Sequence, residues 1–288
     1  NQNLKSIKKQ IDKVKAPNQK VKLVAVTKTR YPEEISAAIS GGVVSIGENR
    51  VQEAEQKFTD IPKIKELGVK ILWLMPIHPI SKKRRKGELG SYYSISDYKE
   101  INPEFGNKDD LDHLIKTAHD NGMYVILDWV ANHTGWDHSW IENNPGYYTK
   151  NNKGEITDPI NPETGKTWGW TDVADLNFDN IIMQNEMIEA MEYWIKEHDI
   201  DGYRADAAHS CPVSFWRKAI FKLNKIKKVF MLAESDGYHT GGFELVELFD
   251  MSYNWPGHHV LNRIAKKENN VSELIDNIET NFESYSKS

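Results

Sequence analysis

Three acidic residues close three separate apolar runs of this chain: Asp128 in Ile126-Leu127-Asp128-Trp129, Asp206 in Gly202-Tyr203-Arg204-Ala205-Asp206, and Glu234 in Phe230-Met231-Leu232-Ala233-Glu234. Carboxylates at the ends of successive parallel strands are what a (β/α) barrel offers to substrate at its C-terminal face. Two carboxyl groups flanking one bond, one ionised and one protonated, are the equipment of glycoside hydrolysis. Arg204 lies two residues before Asp206, so strand alternation turns both side chains the same way. A guanidinium beside Asp206 favours its ionised, nucleophilic form. The apolar approach to Glu234 suits a carboxyl whose pKa is held up for acid work. A different chemistry is suggested near the start, where a β-run ends in Lys28, since a strand-end lysine suits a Schiff base. A lysine in that position is more often a solvated cap.

Short β-branched apolar runs alternate with amphipathic helical segments, the pattern of a parallel sheet wrapped by helices. Strands are predicted at residues 23–27, 43–47, 70–75, 124–129, 202–206, 229–234 and 248–253. Helices are predicted at 4–14, 32–39, 50–67, 108–121, 182–198, 214–223 and 256–282, the last broken near 268–270. The fold class is therefore α/β, a (β/α)8-type (TIM) barrel that counts one strand short. Residues 131–180 break the rhythm, being rich in Trp, Tyr, Asn, Pro and Gly, and read as a functional insertion after the Asp128 strand. Its tryptophans Trp136, Trp140, Trp168 and Trp170 are open to two readings, a carbohydrate platform or ordinary core.

A length of 288 residues suits one such barrel with an inserted loop region. The net charge of −5 is spread over both signs, and the one basic run, Lys82-Lys83-Arg84-Arg85-Lys86, is followed by Gly87 and Gly90 and reads as a solvated loop. No nucleic-acid binding is expected. The single cysteine, Cys211, allows no intramolecular disulfide. No secretion segment opens the chain and no apolar run is long enough to span a bilayer, so a cytoplasmic protein without membrane association is expected.

From about residue 60 to 282 the chain resembles the α-amylase family of glycoside hydrolases. The resemblance is carried by Asp128-Trp129-Val130-Ala131-Asn132-His133, by Gly202-Tyr203-Arg204-Ala205-Asp206 and by Ala233-Glu234-Ser235-Asp236. The stretches Gly90-Ser91-Tyr92-Tyr93-Ser94-Ile95-Ser96-Asp97-Tyr98 and Asp172-Val173-Ala174-Asp175-Leu176-Asn177 match as well. The resemblance implies Asp206 as nucleophile, Glu234 as general acid/base and Arg204 as the partner that keeps Asp206 charged and placed. It implies that His133 bonds the sugar beside the cleaved bond, that Tyr93 stacks on it, and that Asp128 supports Arg204 and Asp206. A turn histidine and a packed loop tyrosine are the plain structural readings of the two substrate residues. The implied substrate is an α-glucan or maltooligosaccharide.

Two departures stand out. The family's Asn-His-Asp tripeptide, whose aspartate stabilises the transition state, is absent from these residues, so weak or lost activity is expected. Ser210 stands where the family's calcium-associated histidine usually closes the second signature. Asn132 and Asp175 are candidate calcium ligands, but two donors fall short of the roughly six to eight that calcium takes. Calcium is thus admitted without being required.

Residues 22–54 resemble a second barrel family, the pyridoxal-phosphate-binding homeostasis proteins, through Val24-Ala25-Val26-Thr27-Lys28-Thr29-Arg30 and Ile46-Gly47-Glu48-Asn49-Arg50-Val51-Gln52-Glu53-Ala54. In that family the residue matching Lys28 forms the Schiff base. The family's phosphate-gripping strands have no counterpart here, so pyridoxal phosphate binding through Lys28 is not expected. The reading is one composite barrel over 1–288, with 1–58 from one family, 59–288 from the other, and recombination or engineering as its origin. A sheet short of a strand has an open edge through which copies of the chain can associate.

Overall fold

The structure, a computed structural model, describes residues 24–26, 45–48, 61–66, 68–268 and 270–285. The elements begin with β1 (Val24–Val26), β2 (Ser45–Glu48), α1 (Ile61–Glu66), β3 (Ile71–Leu74), α2 (Lys108–Asp120) and β4 (Tyr124–Trp129). An inserted part follows, with β5 (His133–Gly135), α3 (Ser139–Asn143) and β6 (Val173–Asp175). The chain then continues through α4 (Ile181–His198), β7 (Gly202–Ala205), α5 (Val213–Ile226), β8 (Phe230–Ala233), α6 (Gly242–Leu248), β9 (Met251–Ser252), α7 (Trp255–Ala265) and α8 (Ser272–Tyr285).

Seven strands form one sheet in the order β1-β2-β3-β4-β7-β8-β9, and every pairing in it is parallel. This is the sheet of a (β/α)8-type barrel, with seven strands among the described residues. The N-terminal strands belong to it, since Ile46 of β2 pairs with Leu72 of β3. Residues 125–129 of β4 and all of β7 are buried, which explains why they read as near-continuous apolar runs rather than alternating ones. Register sets the height of the chemistry: Asp128 pairs with Arg204, and Arg204 with Leu232. The carboxyl ends of β4, β7 and β8 therefore open at one level. Gly202 makes the β7–β8 approach possible, because a Cβ there would lie 1.8 Å from the Phe230 carbonyl oxygen.

Helix boundaries follow local chemistry. Asn107 caps α2 by accepting the Asp109 and Asp110 N–H groups, and Asp110 returns a bond to the Asn107 N–H. Asn180 caps α4 from one side only, accepting the Ile182 and Met183 N–H groups. The helix expected at 256–282 is two helices, α7 and α8, separated around the expected break. The helix expected at 50–67 is seen over α1, while those expected at 4–14 and 32–39 lie outside the described residues. Helix α6 was not anticipated; it is short and opens on Gly241 and Gly242, both at positive φ, which obscures any helical signal.

The insertion holds more regular structure than its sequence suggests. Strands β5 and β6 pair antiparallel, His133 opposite Asp175. Three-residue strands are too short to display a period, which is why none was visible. The insertion is docked on the segment after β3: Gly135 donates to the Ile95 carbonyl, and the Ser94 hydroxyl bonds that of Asp172. The Tyr98 hydroxyl lies 2.8 Å from both the Val130 and His133 carbonyl oxygens. Among the described residues no helix is long and apolar enough to cross a membrane.

Candidate active site

At the mouth of the sheet a single guanidinium meets three carboxylates. Arg204, only 3% exposed, comes from β7. Its Nη1 donates to Asp128 Oδ1 at 2.7 Å and to Asp206 Oδ1 at 2.6 Å, and its Nη2 lies 2.6 Å from Glu234 Oε1. Its Nε donates to the Tyr253 hydroxyl at 3.3 Å. Strand alternation explains the Arg204–Asp206 contact, and the β4–β7–β8 register supplies the other two. A planar fork of donors suits this work, which a point-charge ammonium could not copy.

Four formal charges in this space sum to −2 when all are ionised, so the electrostatics resist full ionisation. Burial pulls the Arg204 pKa down, but the three carboxylates more than offset this and hold it well above its ordinary value. Asp128, fully buried, is pushed up by desolvation, with Arg204 pulling it back. Its Oδ2 also faces Trp73 Nε1 at 3.3 Å and the Tyr93 hydroxyl at 3.4 Å. Glu234 is raised, chiefly by burial and further by Asp206, against the pull of Arg204. With 25% of its side chain exposed against 13% for Asp206, Glu234 is the carboxyl that reaches furthest into the opening. Its Oε2 accepts the Ala207 N–H at 2.8 Å. Ala207 itself is left-handed, with φ 40°, a conformation uncommon for a residue carrying a Cβ.

Arg204, Asp206, Ala207 and Glu234 floor a cleft of about 460 Å³ that Tyr93, His133, Trp170 and Asp172 help to wall, with Asp128 buried behind Arg204. His133 Nε2 sits 3.1 Å from the Tyr93 carbonyl, and burial drives the imidazole pKa down to about 4. The ring is therefore neutral, with Nε2 as the donor and Nδ1 buried without a partner. Burial raises the Tyr93 hydroxyl pKa, with the charge on Asp128 adding to it, so it stays protonated. Asp128, Arg204, Asp206, Glu234, Tyr93 and His133 thus converge, although they come from β4, β5, β7, the turns just past β7 and β8, and the segment after β3. Lys28 lies outside the described residues.

Trp73 and Tyr253 were not singled out from sequence, yet both touch the charge cluster. Arg204 lies over both rings, 5.3 Å from the Trp73 centroid and 5.7 Å from that of Tyr253. Their only sequence signal was position, Trp73 inside the predicted strand 70–75 and Tyr253 at the end of the one at 248–253. The four tryptophans of the insertion divide. Trp136 is buried, donates to the Thr171 carbonyl and is covered by Arg84, while Trp140 packs on Tyr98, His138 and Tyr147. Trp168 and Trp170 stay at the surface. The basic run is an exposed loop, its Lys82 and Lys83 N–H groups bonded to Asp137 and its Lys86 ammonium 2.9 Å from Asp172.

Asn132 and Asp175 occupy a separate buried spot beside the β5–β6 pair. Both side-chain atoms of Asn132 are buried without a hydrogen-bond partner, as are Asp158 Oδ2 and Thr157 Oγ1. Burial pushes the Asp175 carboxyl up to about 7, and the charge on Asp158 adds to the shift. Buried oxygens without a protein partner beside the Asp175 carboxyl are the donor type a hard cation takes. Among the described residues no group of three or more His, Cys, Asp or Glu is placed to hold a metal ion, so further donors would have to be amide, hydroxyl or carbonyl oxygens. Asp158 gave no sequence signal, standing in an aperiodic polar loop.

Comparison with known proteins bears on the same residues. The alpha amylase catalytic domain family matches residues 59–227. Alpha-amylase 3 of Dictyoglomus thermophilum is 28% identical over 252 residues, covering 79% of this chain and 48% of that protein. Among solved structures, an alpha-amylase from Lactobacillus plantarum is 31% identical with a TM-score of 0.72, over 90% of this chain and 58% of that one. A maltogenic alpha-amylase from Thermotoga neapolitana is 28% identical with a TM-score of 0.73, over 92% and 56%. The chain spans about half the length of these relatives. The family match takes in β3, β4 and β7 with Asp128, Arg204 and Asp206, and on that ground this chain belongs to the alpha-amylase catalytic domain family.

Proposed function

We propose that this chain acts on α-glucosidic bonds of glucans and maltooligosaccharides as a retaining hydrolase. The observation that carries the reading is the Arg204 guanidinium, shared by buried Asp128 and by Asp206 and Glu234 on the floor of one cleft. Asp206 attacks the anomeric carbon and forms a glycosyl ester while Glu234 protonates the departing oxygen; Glu234 then takes a proton from the water that cleaves the ester. Arg204 holds and aims Asp206 through its Nη1, and buried Asp128 fixes Arg204 from behind. In the free site Glu234 Oε1 is held by Arg204. Proton donation therefore requires Oε1 to leave the guanidinium for the leaving oxygen, with Ala207 N–H keeping its grip on Oε2. Tyr93 and His133 bind the sugar next to the cleaved bond.

Turnover by these 288 residues is slow, because they contain no Asn-His-Asp tripeptide to supply a third carboxylate. The extreme form of this reading is a barrel without native activity. Sugar release from maltooligosaccharides, measured beside an Asp206→Ala control, separates the cases: release above the control supports the hydrolase, and equal traces refute it. Asn132, Asp158 and Asp175 would hold a calcium-like ion. Such an ion supplies structural charge neutralisation away from the reacting bond, tying β6 to the end of β4. The composite origin, with residues 1–58 joined to the amylase part, rests on the resemblance of residues 22–54 and on β2 pairing in parallel with β3. Pyridoxal phosphate has no part in the proposed reaction. Association between copies would use the sheet margins, where β1 and the two-residue β9 each pair on one side only among the described residues.

A further inference from the structure

Tyr253 stands between the two groups that must part during the reaction, Glu234 and Arg204. Its backbone is fixed around Glu234. Strand β9 pairs in parallel with β8, Ser252 opposite Ala233. The Tyr253 N–H then reaches the carbonyls of Ala233 at 3.2 Å and Ser235 at 3.0 Å, the residues on either side of Glu234. Its side chain is committed to Arg204, whose Nε donates to the hydroxyl at 3.3 Å and whose guanidinium lies over the ring. The rest of the guanidinium is held unevenly. Asp128 and Asp206 both accept from the one nitrogen Nη1, while Nη2 is held by Glu234 Oε1. Two acceptors on one nitrogen fix a planar fork at that point but leave it able to swing about it, and Nε is the corner that stops the swing. Burial pushes the Tyr253 hydroxyl up to about 12, against the pull of Arg204. It therefore meets Nε as a neutral acceptor and adds no fourth negative charge to the cluster.

We propose that Tyr253 is a positioning residue for the acid step: its hydroxyl holds the Arg204 guanidinium in place while Glu234 leaves it for the glycosidic oxygen. This rests on the hydrolase reading above. In that step a proton passes from Glu234 to the leaving oxygen as the glycosidic C–O bond breaks and the bond from Asp206 to the anomeric carbon forms. A guanidinium that followed Glu234 would keep its carboxyl ionised, because a nearby cation favours the charged form. Asp206, bound at the pivot Nη1, would keep its place through such a swing. The hydroxyl thus separates two duties of one cation, aiming the nucleophile and releasing the acid.

The test compares the parent with Tyr253→Phe, which keeps the ring and its edge contact with Trp255, on two substrates. Maltoheptaose loses an alkoxide and needs the proton of Glu234. α-Maltosyl fluoride loses fluoride, a weak base that departs with little help. For each, kcat/KM follows the reaction through formation of the glycosyl ester. Tyr253→Phe should lower kcat/KM about tenfold for maltoheptaose and less than about threefold for the fluoride, and should move the basic limb of the maltoheptaose pH profile down by about one pH unit. The sign follows from the acid: the closer the cation, the lower the pH at which Glu234 gives up its proton. Fluoride release by the variant also shows that it is folded. An equal loss on both substrates, or an unmoved basic limb, overturns the role of Tyr253 and leaves the carboxylate site as read. No hydrolysis of either substrate by the parent overturns both readings.

Discussion

Replacing Arg204 by methionine keeps the length of the aliphatic stem and deletes the one cation among three carboxylates. Asp128 is then a buried carboxylate whose remaining donors, Trp73 Nε1 and the Tyr93 hydroxyl, stand at 3.3 and 3.4 Å. Removing one partner of a buried ion pair costs about 3–5 kcal/mol, because the other charge is stranded. At about 2 °C per kcal/mol for a chain of this size, Tm falls by about 6–10 °C near neutral pH. The pH dependence has a definite sign. A carboxyl whose folded pKa lies above its unfolded value binds more protons when folded, so its penalty grows as pH rises from the unfolded pKa to the folded one. Burial already raises Asp128 and Glu234 with Arg204 present, and deleting the cation raises them further. The deficit of Arg204→Met should therefore shrink from pH 8 to pH 5, and Asp128→Asn added to it should restore more than half of the loss at pH 8. Thermal melts of parent, single and double variants by circular dichroism at the two pH values decide the matter. A Tm within 2 °C of the parent at pH 8, or a deficit that grows on acidification, would refute the reasoning, since about 3 kcal/mol is the least it requires.

Gly202→Ala should cost about 3 kcal/mol or more and lower turnover, because the new Cβ meets backbone rather than a side chain that can move; a melt matching the parent would show that the strands can part there. Hydrolysis of maltoheptaose should run about 10²–10³ slower than in a family member with the third carboxylate, and Glu234→Gln should abolish what remains; rapid release insensitive to that change contradicts the assignment. Calcium at about 100 times its Kd should stabilise the chain by about 2.7 kcal/mol. The gain should be weaker at pH 6 than at pH 8, since the Asp175 carboxyl, raised to about 7, takes up a proton between them; melts in chelator that match melts in calcium would dismiss the ion. Added pyridoxal phosphate should leave no stoichiometric aldimine, and a yellow adduct that survives dialysis but is lost in Lys28→Ala would reverse this.

Much of the barrel was legible in the sequence because buried parallel strands are local, apolar and β-branched. Residues 124–129 are a strand in both readings, and the Arg204–Asp206 pairing follows from alternation along one strand. The acidic strand ends were equally local signals. What joins them is not local. Arg204 reaches Asp128 across 76 positions and Tyr253 across 49, and only the register of β4, β7 and β8 brings those groups within a hydrogen bond. The tertiary structure also separated Trp168 and Trp170 from Trp136 and Trp140, four residues that composition could not rank. It exposed Asp158 beside Asp175 in the same way. The physical reason is common to all of these. A residue's own neighbours along the chain set its backbone state, but its desolvation, its ion pairs and its protonation are set by segments that arrive from elsewhere.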